Sequence, residues 1–264
     1  MSDTVLNAKK LCVILGGNTI VENVDFRVRK GELVGILGPS GSGKSTLLRA
    51  LSGFRPARKG KVIFQGRDLY EDFDELKRSI GFVPQDDVVP RALKVERALG
   101  YTAELRLQEF SKEEKKGRVD GVIQTLGLAK SRKQRISKLS GGQRKRVSVA
   151  MELIARPKLL FADEPTSGLD PALERSLTAT MRKLADGGRA VVVTTHIMSS
   201  LDILDALCVL NDGKLCYFGP VDGMKEFFEV EDFVDIYANL QKRPVSEWRR
   251  KYDRSGLRRE YLRG

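Results

Sequence analysis

The amino-acid sequence predicts an α/β fold in which a helical subdomain interrupts a core of alternating strands and helices. Short apolar runs suited to buried parallel strands, such as residues 33–37 and 190–194, lie on both sides of the interruption. Between about residues 93 and 153 the apolar residues instead recur at helical spacing. A chain of 264 residues is long enough for one core carrying such a lobe.

The elements follow from strand and turn signals. Breakers at residues 16–18 and 29–31 divide an N-terminal stretch of strands. The expected order is strands within residues 1–30, a strand at 33–37, a helix at 46–51, strands near 61–65 and 79–83, the helical region, a strand at 158–162, a helix ending at 187–188 and a strand at 190–194.

The helices have recognisable starts and faces. Val95, Leu99, Thr102 and residues 105–107 are expected on one apolar helical face. Ser111 has the capping-box spacing that begins the next helix. Asp170, followed by a proline, is expected to cap the helix after the strand at 158–162.

The composition is typical of a folded domain in a reducing compartment. Hydrophobic residues make up 41% of the chain and charged residues 31%. No apolar run approaches the roughly 20 residues of a membrane-spanning helix. The three cysteines lack metal-ligand spacing, so we interpret them as small apolar side chains.

The stretch GPSGSGKST predicts a phosphate site, because it matches G-x-x-x-x-G-K-[ST] between a strand and a helix. Its glycines allow backbone amides to turn toward phosphate oxygens, and the helix N-terminus adds partial positive charge. Lys44 is expected on the β- and γ-phosphates and Ser45 on Mg²⁺. The whole loop is expected to bind nucleotide: Gly38, Pro39, Ser40, Gly41, Ser42, Gly43, Lys44, Ser45 and Thr46.

Polar residues at three other strand ends complete the expected site. Asp163 and Glu164 follow an apolar strand, where Asp163 can hold Mg²⁺ and Glu164 can polarise a water. A plain helix-entry turn is the alternative for this pair. His196 follows the strand at 190–194, where it can contact the γ-phosphate, and Gln85 can reach Mg²⁺ or the attacking water. A GTPase is not favoured, since residues 211–214 do not match Asn-Lys-x-Asp.

A second Gly-rich segment, LSGGQRKR at residues 139–146, begins another helix and can also hold an anion. We interpret its basic run, residues 144–146, as a solvated or acid-paired helix face. Together with the phosphate loop, Gln85, LLFADEP and His196, this segment resembles the nucleotide-binding domain of ABC transporters from about residue 8 to residue 228.

The resemblance implies a P-loop NTPase core with an antiparallel β subdomain and an inserted α-helical subdomain, as in ABC ATPases. It implies ATP and Mg²⁺ as cofactors, and a head-to-tail dimer with a second copy or a paralogous cassette. In that dimer the signature residues close over the partner's nucleotide. The residues concerned are Ser140, Gly141, Gly142, Gln143 and Asp170.

Residues 83–107 and 139–174 resemble the White/pigment (G-type) branch and its bacterial relatives. That resemblance implies ATP hydrolysis coupled to transport at the cytoplasmic face of the membrane, with a transmembrane domain in cis or trans. The departure is at the adenine end, where Ile14 and Leu15 replace a commonly aromatic residue, so weak discrimination against GTP is expected. A soluble ABC ATPase acting on DNA, ribosomes or cofactor assembly is the alternative, and so is a nucleotide sensor without turnover.

The expected domains are the core with its β subdomain (1–85 and 157–228), the helical signature subdomain (86–156) and a basic connecting tail (229–264). Phe233, Ile236, Tyr237 and Leu240 predict a short amphipathic helix. Residues 242–264 then carry nine Lys and Arg against three Asp and Glu, within a net charge of +12. We expect a solvated tail or contact with anionic lipid, and no nucleic-acid partner.

Overall fold

Two β-sheets organise the part of the chain that the structure, a computed structural model, describes: residues 3–196, 198 and 200–262. The strands are β1 (Thr4–Leu15), β2 (Asn18–Arg29), β3 (Leu33–Leu37), β4 (Lys59–Phe64), β5 (Arg67–Asp68), β6 (Ile80–Val83), β7 (Leu159–Ala162), β8 (Ala190–Thr195), β9 (Ala206–Asn211) and β10 (Lys214–Pro220). The first sheet, in the order β2-β1-β4-β5, is antiparallel. The second has the order β10-β9-β3-β8-β7-β6 and is parallel except for β10.

The helices are α1 (Lys44–Leu51), α2 (Phe73–Leu76), α3 (Val95–Arg106), α4 (Lys112–Thr125), α5 (Gly141–Leu153), α6 (Pro171–Asp186), α7 (Met224–Phe228), α8 (Asp235–Lys242), α9 (Val245–Arg254) and α10 (Leu257–Leu262). Helices α3, α4 and α5 stand between β6 and β7 in the chain, although β6 and β7 pair directly. The predicted fold class, with an antiparallel subdomain and a helical insertion, is therefore confirmed. The exact domain boundaries stay predictions.

The parallel sheet is covered on both faces, and its central strands are therefore continuously apolar. All five residues of β3 and all four of β7 are buried. Strand β8 lies between β3 and β7, which confirms the central parallel strand predicted at residues 190–194. The carboxyl ends of β3, β7 and β8 consequently meet at one edge of the sheet.

Capping side chains fix the helix starts as predicted. Ser111 and Glu114 form a reciprocal capping box at α4, with bonds of 3.2 Å and 2.8 Å. Asp170 accepts hydrogen bonds from two first-turn amides of α6, at 3.1 Å and 3.0 Å. Helix α1 begins at Lys44, two residues before the predicted start.

The predicted face of α3 is wrong at its end. Val95, Leu99 and Thr102 are buried as expected, but Leu105 is 73% exposed. Residue 106 follows Thr102 at helical spacing, and Arg106, still partly exposed, forms a bidentate salt bridge with Glu152 at 2.8 Å and 2.9 Å.

The basic C-terminal segment is not a solvated tail within residues 242–262. Trp248 and Tyr252, one turn apart on α9, are each 1% exposed, and the Tyr252 hydroxyl donates to the carbonyl of Phe218 in β10 at 3.2 Å. The predicted amphipathic helix is present as α8, with Ile236 and Leu240 buried. The free energy gained by burying two aromatic side chains exceeds the free energy of hydrating the basic residues beside them, so the segment packs against the fold.

Four of the eight Lys and Arg residues described between residues 242 and 262 are paired with acidic residues: Arg243, Arg249, Lys251 and Arg258. Lys251 donates to Glu229 at 2.7 Å and lies 5.5 Å from the ring centroid of Trp248. Arg258 forms a 2.7 Å bond with Asp25 in β2. These pairs join the end of the chain to distant elements, and the contact with anionic lipid stays a prediction.

Replacing Trp248 by Ala is expected to lower the free energy of unfolding by about 3–5 kcal/mol, because a fully buried indole is removed from packed surroundings. Urea denaturation followed by circular dichroism measures this, since Trp248 is the chain's single tryptophan and fluorescence would be lost. Leu105→Ala is the control and should change stability by less than about 0.5 kcal/mol. Equal unfolding midpoints for the two variants would contradict the packing described here.

Candidate functional site

The loop of residues 38–43 connects β3 to α1 and exposes backbone amides at the start of the helix. Gly43, the residue before α1, has φ 94°, and a Cβ there would lie 2.9 Å from the carbonyl oxygen of Ile20. A side chain would therefore be strained at this position. No side chain caps α1 and no acidic residue stands in its first turn, so the helix start is free to receive an anion.

Lys44 is held inside this loop. Its side chain is 6% exposed, and its amino group donates to the carbonyls of Gly38 and Pro39, at 3.0 Å each. Burial lowers the pKa of Lys44, while the carboxylates of Glu164 and Asp163 act in the opposite direction. Because both hydrogen-bond acceptors are neutral carbonyls, a phosphate oxygen would be a stronger partner for this cation.

Asp163 at the end of β7 provides the position for a metal ion. It is fully buried, and its Oδ1 accepts hydrogen bonds from the hydroxyls of Ser45 and Thr194, at 2.8 Å each. Its Oδ2 has no hydrogen-bond partner among the described residues and lies 3.9 Å from the guanidinium of Arg49. A buried carboxylate oxygen without a donor, beside a serine hydroxyl, fits the oxygen ligands that Mg²⁺ prefers.

The described residues contain no group of three or more His, Cys, Asp or Glu side chains able to hold a metal. A Mg²⁺ ion at Asp163 and Ser45 would take phosphate oxygens and water as further ligands, as is usual for this ion at nucleotide sites.

Glu164 joins the other predicted catalytic residues. Its carboxylate accepts a 3.2 Å hydrogen bond from Gln85 Nε2, and its Oε2 lies 3.5 Å from Nδ1 of His196. Its other oxygen lies 3.9 Å from the Lys44 amino group. The backbone of Glu164 has φ 42°, a left-handed conformation that costs energy for a residue with a side chain. This turn directs the carboxylate toward the phosphate loop.

The second Gly-rich segment is a helix start at a separate place. Ser140 caps α5, with its hydroxyl accepting from the Gln143 amide at 3.3 Å and its own amide donating to the Gln143 side chain at 3.0 Å. Ser140 itself is exposed. None of the hydrogen bonds or ion pairs found within the described ranges joins residues 140–143 to residues 38–46. The nucleotide contacts of Ser140, Gly141, Gly142, Gln143 and Asp170 accordingly stay predictions.

Three residues at the site, Thr194, Tyr237 and Lys145, had no role predicted from the sequence. Of the basic run 144–146, predicted as a solvated or acid-paired helix face, Lys145 is buried and lies 3.3 Å from Asp87. The Thr194 hydroxyl donates to Asp163 and accepts from the amide of Glu164 at 2.7 Å, so it fixes both acidic residues. The Tyr237 hydroxyl lies 3.5 Å from the carbonyl oxygen of Gly38, and burial raises the pKa of Tyr237 to about 12. Thr194 and Tyr237 had been interpreted only as strand and helix formers, because neither lies in a recognisable motif.

The family of this chain is shown by its match to a protein-family model. The family model described as ABC transporter matches residues 21–167, which include the phosphate loop, the Ser140 segment and the two acidic residues. The chain belongs to the ABC transporter family. The roles of the individual site residues of this ABC transporter chain stay predictions, and the match ends before Asp170 and His196.

Individual relatives of the ABC transporter chain extend the similarity beyond that range. An ABC transporter ATP-binding/permease protein of Mycobacterium tuberculosis is 41% identical over 243 residues, covering 91% of this chain and 28% of the relative. ABC transporter G family member 14 of Arabidopsis thaliana is 40% identical over 219 residues, covering 80% of this chain and 33% of the relative. The chain therefore spans about a third or less of these relatives.

Solved structures of ABC transporter cassettes share the fold. The cassette cbiO1 of Clostridium perfringens, part of an ABC transporter complex, has a TM-score of 0.79 and 25% identity over 93% of this chain and 98% of its own. A dimeric cassette in a post-hydrolysis state, bound to ADP and Pi, has a TM-score of 0.73 and 26% identity over 82% of this chain and 98% of its own.

Proposed function

We propose that this chain binds ATP with Mg²⁺, hydrolyses it in an ATP-dependent dimer and thereby powers the movement of a substrate across a membrane. The observation that carries the proposal is the position of Glu164. Its carboxylate contacts Gln85 and His196, lies 3.9 Å from Lys44 and follows directly after Asp163. Groups for holding phosphate, for holding a cation and for accepting a proton thus adjoin one another.

Each residue has a distinct part in this chemistry. Backbone N–H groups of residues 40–43 and the Lys44 amino group would hold the phosphates. Asp163 and Ser45 would hold Mg²⁺, which neutralises charge on the phosphate oxygens when bound. Glu164 would accept the proton of the attacking water. Gln85 and His196 orient that carboxylate, and His196, whose side chain is 49% exposed, can also donate to the γ-phosphate.

Dimerisation is supported by the separation of the two Gly-rich segments. Ser140, at the start of α5, is exposed to solvent, and none of the described hydrogen bonds or ion pairs joins residues 140–143 to the chain's own phosphate loop. A head-to-tail dimer would let one molecule's Ser140 segment meet the nucleotide held by the other molecule's Lys44. A solved neighbour of the same fold is a dimeric cassette bound to ADP and Pi. The partner proposed here is a second copy or a paralogous cassette.

The transport role is supported by the G family relatives and by the ATP-binding/permease protein. The described residues contain no helix long and apolar enough to cross a membrane. The permease part named in the Mycobacterium relative supports a transmembrane domain as partner, in cis or in trans, with this cassette at the cytoplasmic face. A soluble role on DNA, ribosomes or cofactor assembly is the second candidate, and the names of these relatives do not favour it.

The experiment is a measurement of phosphate release from the purified chain with ATP and with GTP, each with and without Mg²⁺. Hydrolysis should require Mg²⁺. GTP should be cleaved at more than about one hundredth of the ATP rate, because an aliphatic contact lacks the roughly 1 kcal/mol of aromatic stacking that would favour adenine. Lys44→Ala should weaken ATP binding about tenfold or more, because a charged hydrogen bond contributes about 1.5–3 kcal/mol. Turnover by the wild type no faster than by Lys44→Ala would refute the enzymatic proposal.

A further inference from the structure

A buried lysine in α5 is not used by the mechanism described above. Lys145 is 4% exposed, and its amino group donates to the carbonyl of Gln85 at 2.6 Å and to that of Pro84 at 3.4 Å. The carboxylate of Asp87 lies 3.3 Å from the same amino group. The ammonium group therefore makes two hydrogen bonds to backbone carbonyls, and the Asp87 carboxylate compensates its charge without a hydrogen bond. The neighbouring base Arg146 instead donates to the carbonyl of Leu126 in the helical subdomain and to the hydroxyl of Ser176 on α6.

The contact between Lys145 and Gln85 joins two functional segments. The side chain of Gln85 donates to Glu164 at 3.2 Å, while its backbone carbonyl accepts from Lys145. Lys145 lies about one and a half helical turns after Ser140 on the same rigid helix. Gln85, which contacts Glu164, is therefore hydrogen-bonded directly to α5, the helix that begins with the Ser140 segment.

The contact of Lys145 with Gln85 limits how far Gln85 can move relative to α5. The amino group is buried and its partners are fixed backbone carbonyls and one carboxylate, which also lies 3.6 Å from Nε of Arg144. A shift of Gln85 that left α5 in place would separate a buried cation from its acceptors, which is strongly unfavourable. Gln85 and α5 are thus expected to move together.

We propose that Lys145 is a positioning residue that couples the orientation of α5, and so of Ser140–Gln143, to the position of Gln85 beside Glu164. Occupancy of the phosphate site is then transmitted through Gln85 and Lys145 to the surface offered to a partner cassette. The inference rests on the proposed ATP-dependent dimer. It adds the residue that connects the hydrolytic site of one chain to the Ser140 segment of the same chain.

The test compares Lys145→Met with Lys145→Arg and with Lys116→Met, a matched change of an exposed lysine on α4. Lys145→Met should lower kcat at least tenfold, in the range of allosteric couplings, while the monomer's ATP affinity changes less than about twofold. Lys145→Arg, which keeps the charge and several donors, should recover most of the rate. Lys116→Met should match the wild type. A kcat of Lys145→Met within twofold of Lys116→Met, or an equal loss of ATP affinity, would overturn the proposal.

A double-mutant cycle separates coupling from mere destabilisation. If Lys145 acts through Gln85, then Lys145→Gln combined with Gln85→Ala should lower kcat no more than the worse single variant. Independent roles would make the two losses multiply, and that result would refute the link. The less disruptive Lys145→Gln also serves if Lys145→Met fails to fold.

Hydrogen exchange distinguishes this inference from the proposed function. ATP added to the monomeric wild type should alter amide exchange in residues 140–146, and the alteration should be absent in Lys145→Gln. If the wild type shows the ATP-dependent change in amide exchange but no hydrolysis, the enzymatic proposal is wrong while the coupling of Gln85 to α5 through Lys145 is still supported. An unchanged ATP response in Lys145→Gln would contradict the link whatever the turnover.

Discussion

Replacing Glu164 by Gln is expected to lower ATP hydrolysis by about 10²–10⁴-fold, the usual contribution of a general base. The amide has the shape of the carboxylate and can still accept the hydrogen bond that Gln85 donates at 3.2 Å. It cannot take a proton from water. Nucleotide binding should therefore persist, and an ATP-bound dimer should accumulate because the step that dissolves it is blocked.

Phosphate-release kinetics and size-exclusion chromatography with ATP measure the two effects. Glu113→Gln is the matched control, since that carboxylate lies exposed in the first turn of α4, away from the phosphate loop. It should retain the wild-type rate and remain monomeric after turnover. A wild type that binds ATP yet hydrolyses it no faster than Glu164→Gln would instead support a nucleotide sensor without turnover.

The site was predictable from sequence because phosphate and metal chemistry restrict which residues can stand at strand ends. Asp163, Glu164 and Gln85 each directly follow or closely follow a buried strand, and the topology brings those strand ends to one edge. Their meeting with His196 around Glu164 follows from the strand order in the structure, in which β7 lies between β8 and β6, and the sequence did not predict that order. Thr194 could not be assigned in this way, since a threonine inside a β-branched run has the same pattern whether or not its hydroxyl has a role.

The C-terminal segment was misinterpreted because net charge says little about where each charge lies. The spacing of Trp248 and Tyr252 does indicate an apolar face, but the surrounding bases outnumber them in the sequence. Several of those bases form ion pairs with acidic residues far away in the chain, as Arg258 does with Asp25. Such pairs depend on tertiary structure, and so does the contact of Lys145 with Gln85.

Replacing Ser140 by Arg is expected to abolish ATP-driven dimerisation and reduce hydrolysis to background while the monomer still binds ATP within about twofold, a change of about 0.4 kcal/mol. Ser140 is exposed and makes no bond to the phosphate loop of its own chain, so ATP binding does not depend on it. In the proposed dimer, however, the arginine would fill the space that the partner's γ-phosphate needs. It would also place a positive charge at a helix N-terminus, where the helix dipole disfavours it.

The substitution also removes a helix cap, and that effect must be separated from the loss of the interface. Ser111→Arg provides the comparison, because Ser111 forms the same kind of capping box at α4. Loss of either cap should reduce stability by about 1 kcal/mol. Only Ser140→Arg should prevent the dimer, which can be measured by analytical ultracentrifugation with ATP in the Glu164→Gln background. Dimerisation lost equally in both variants would mean that helix stability, and not a composite nucleotide site, explains the effect.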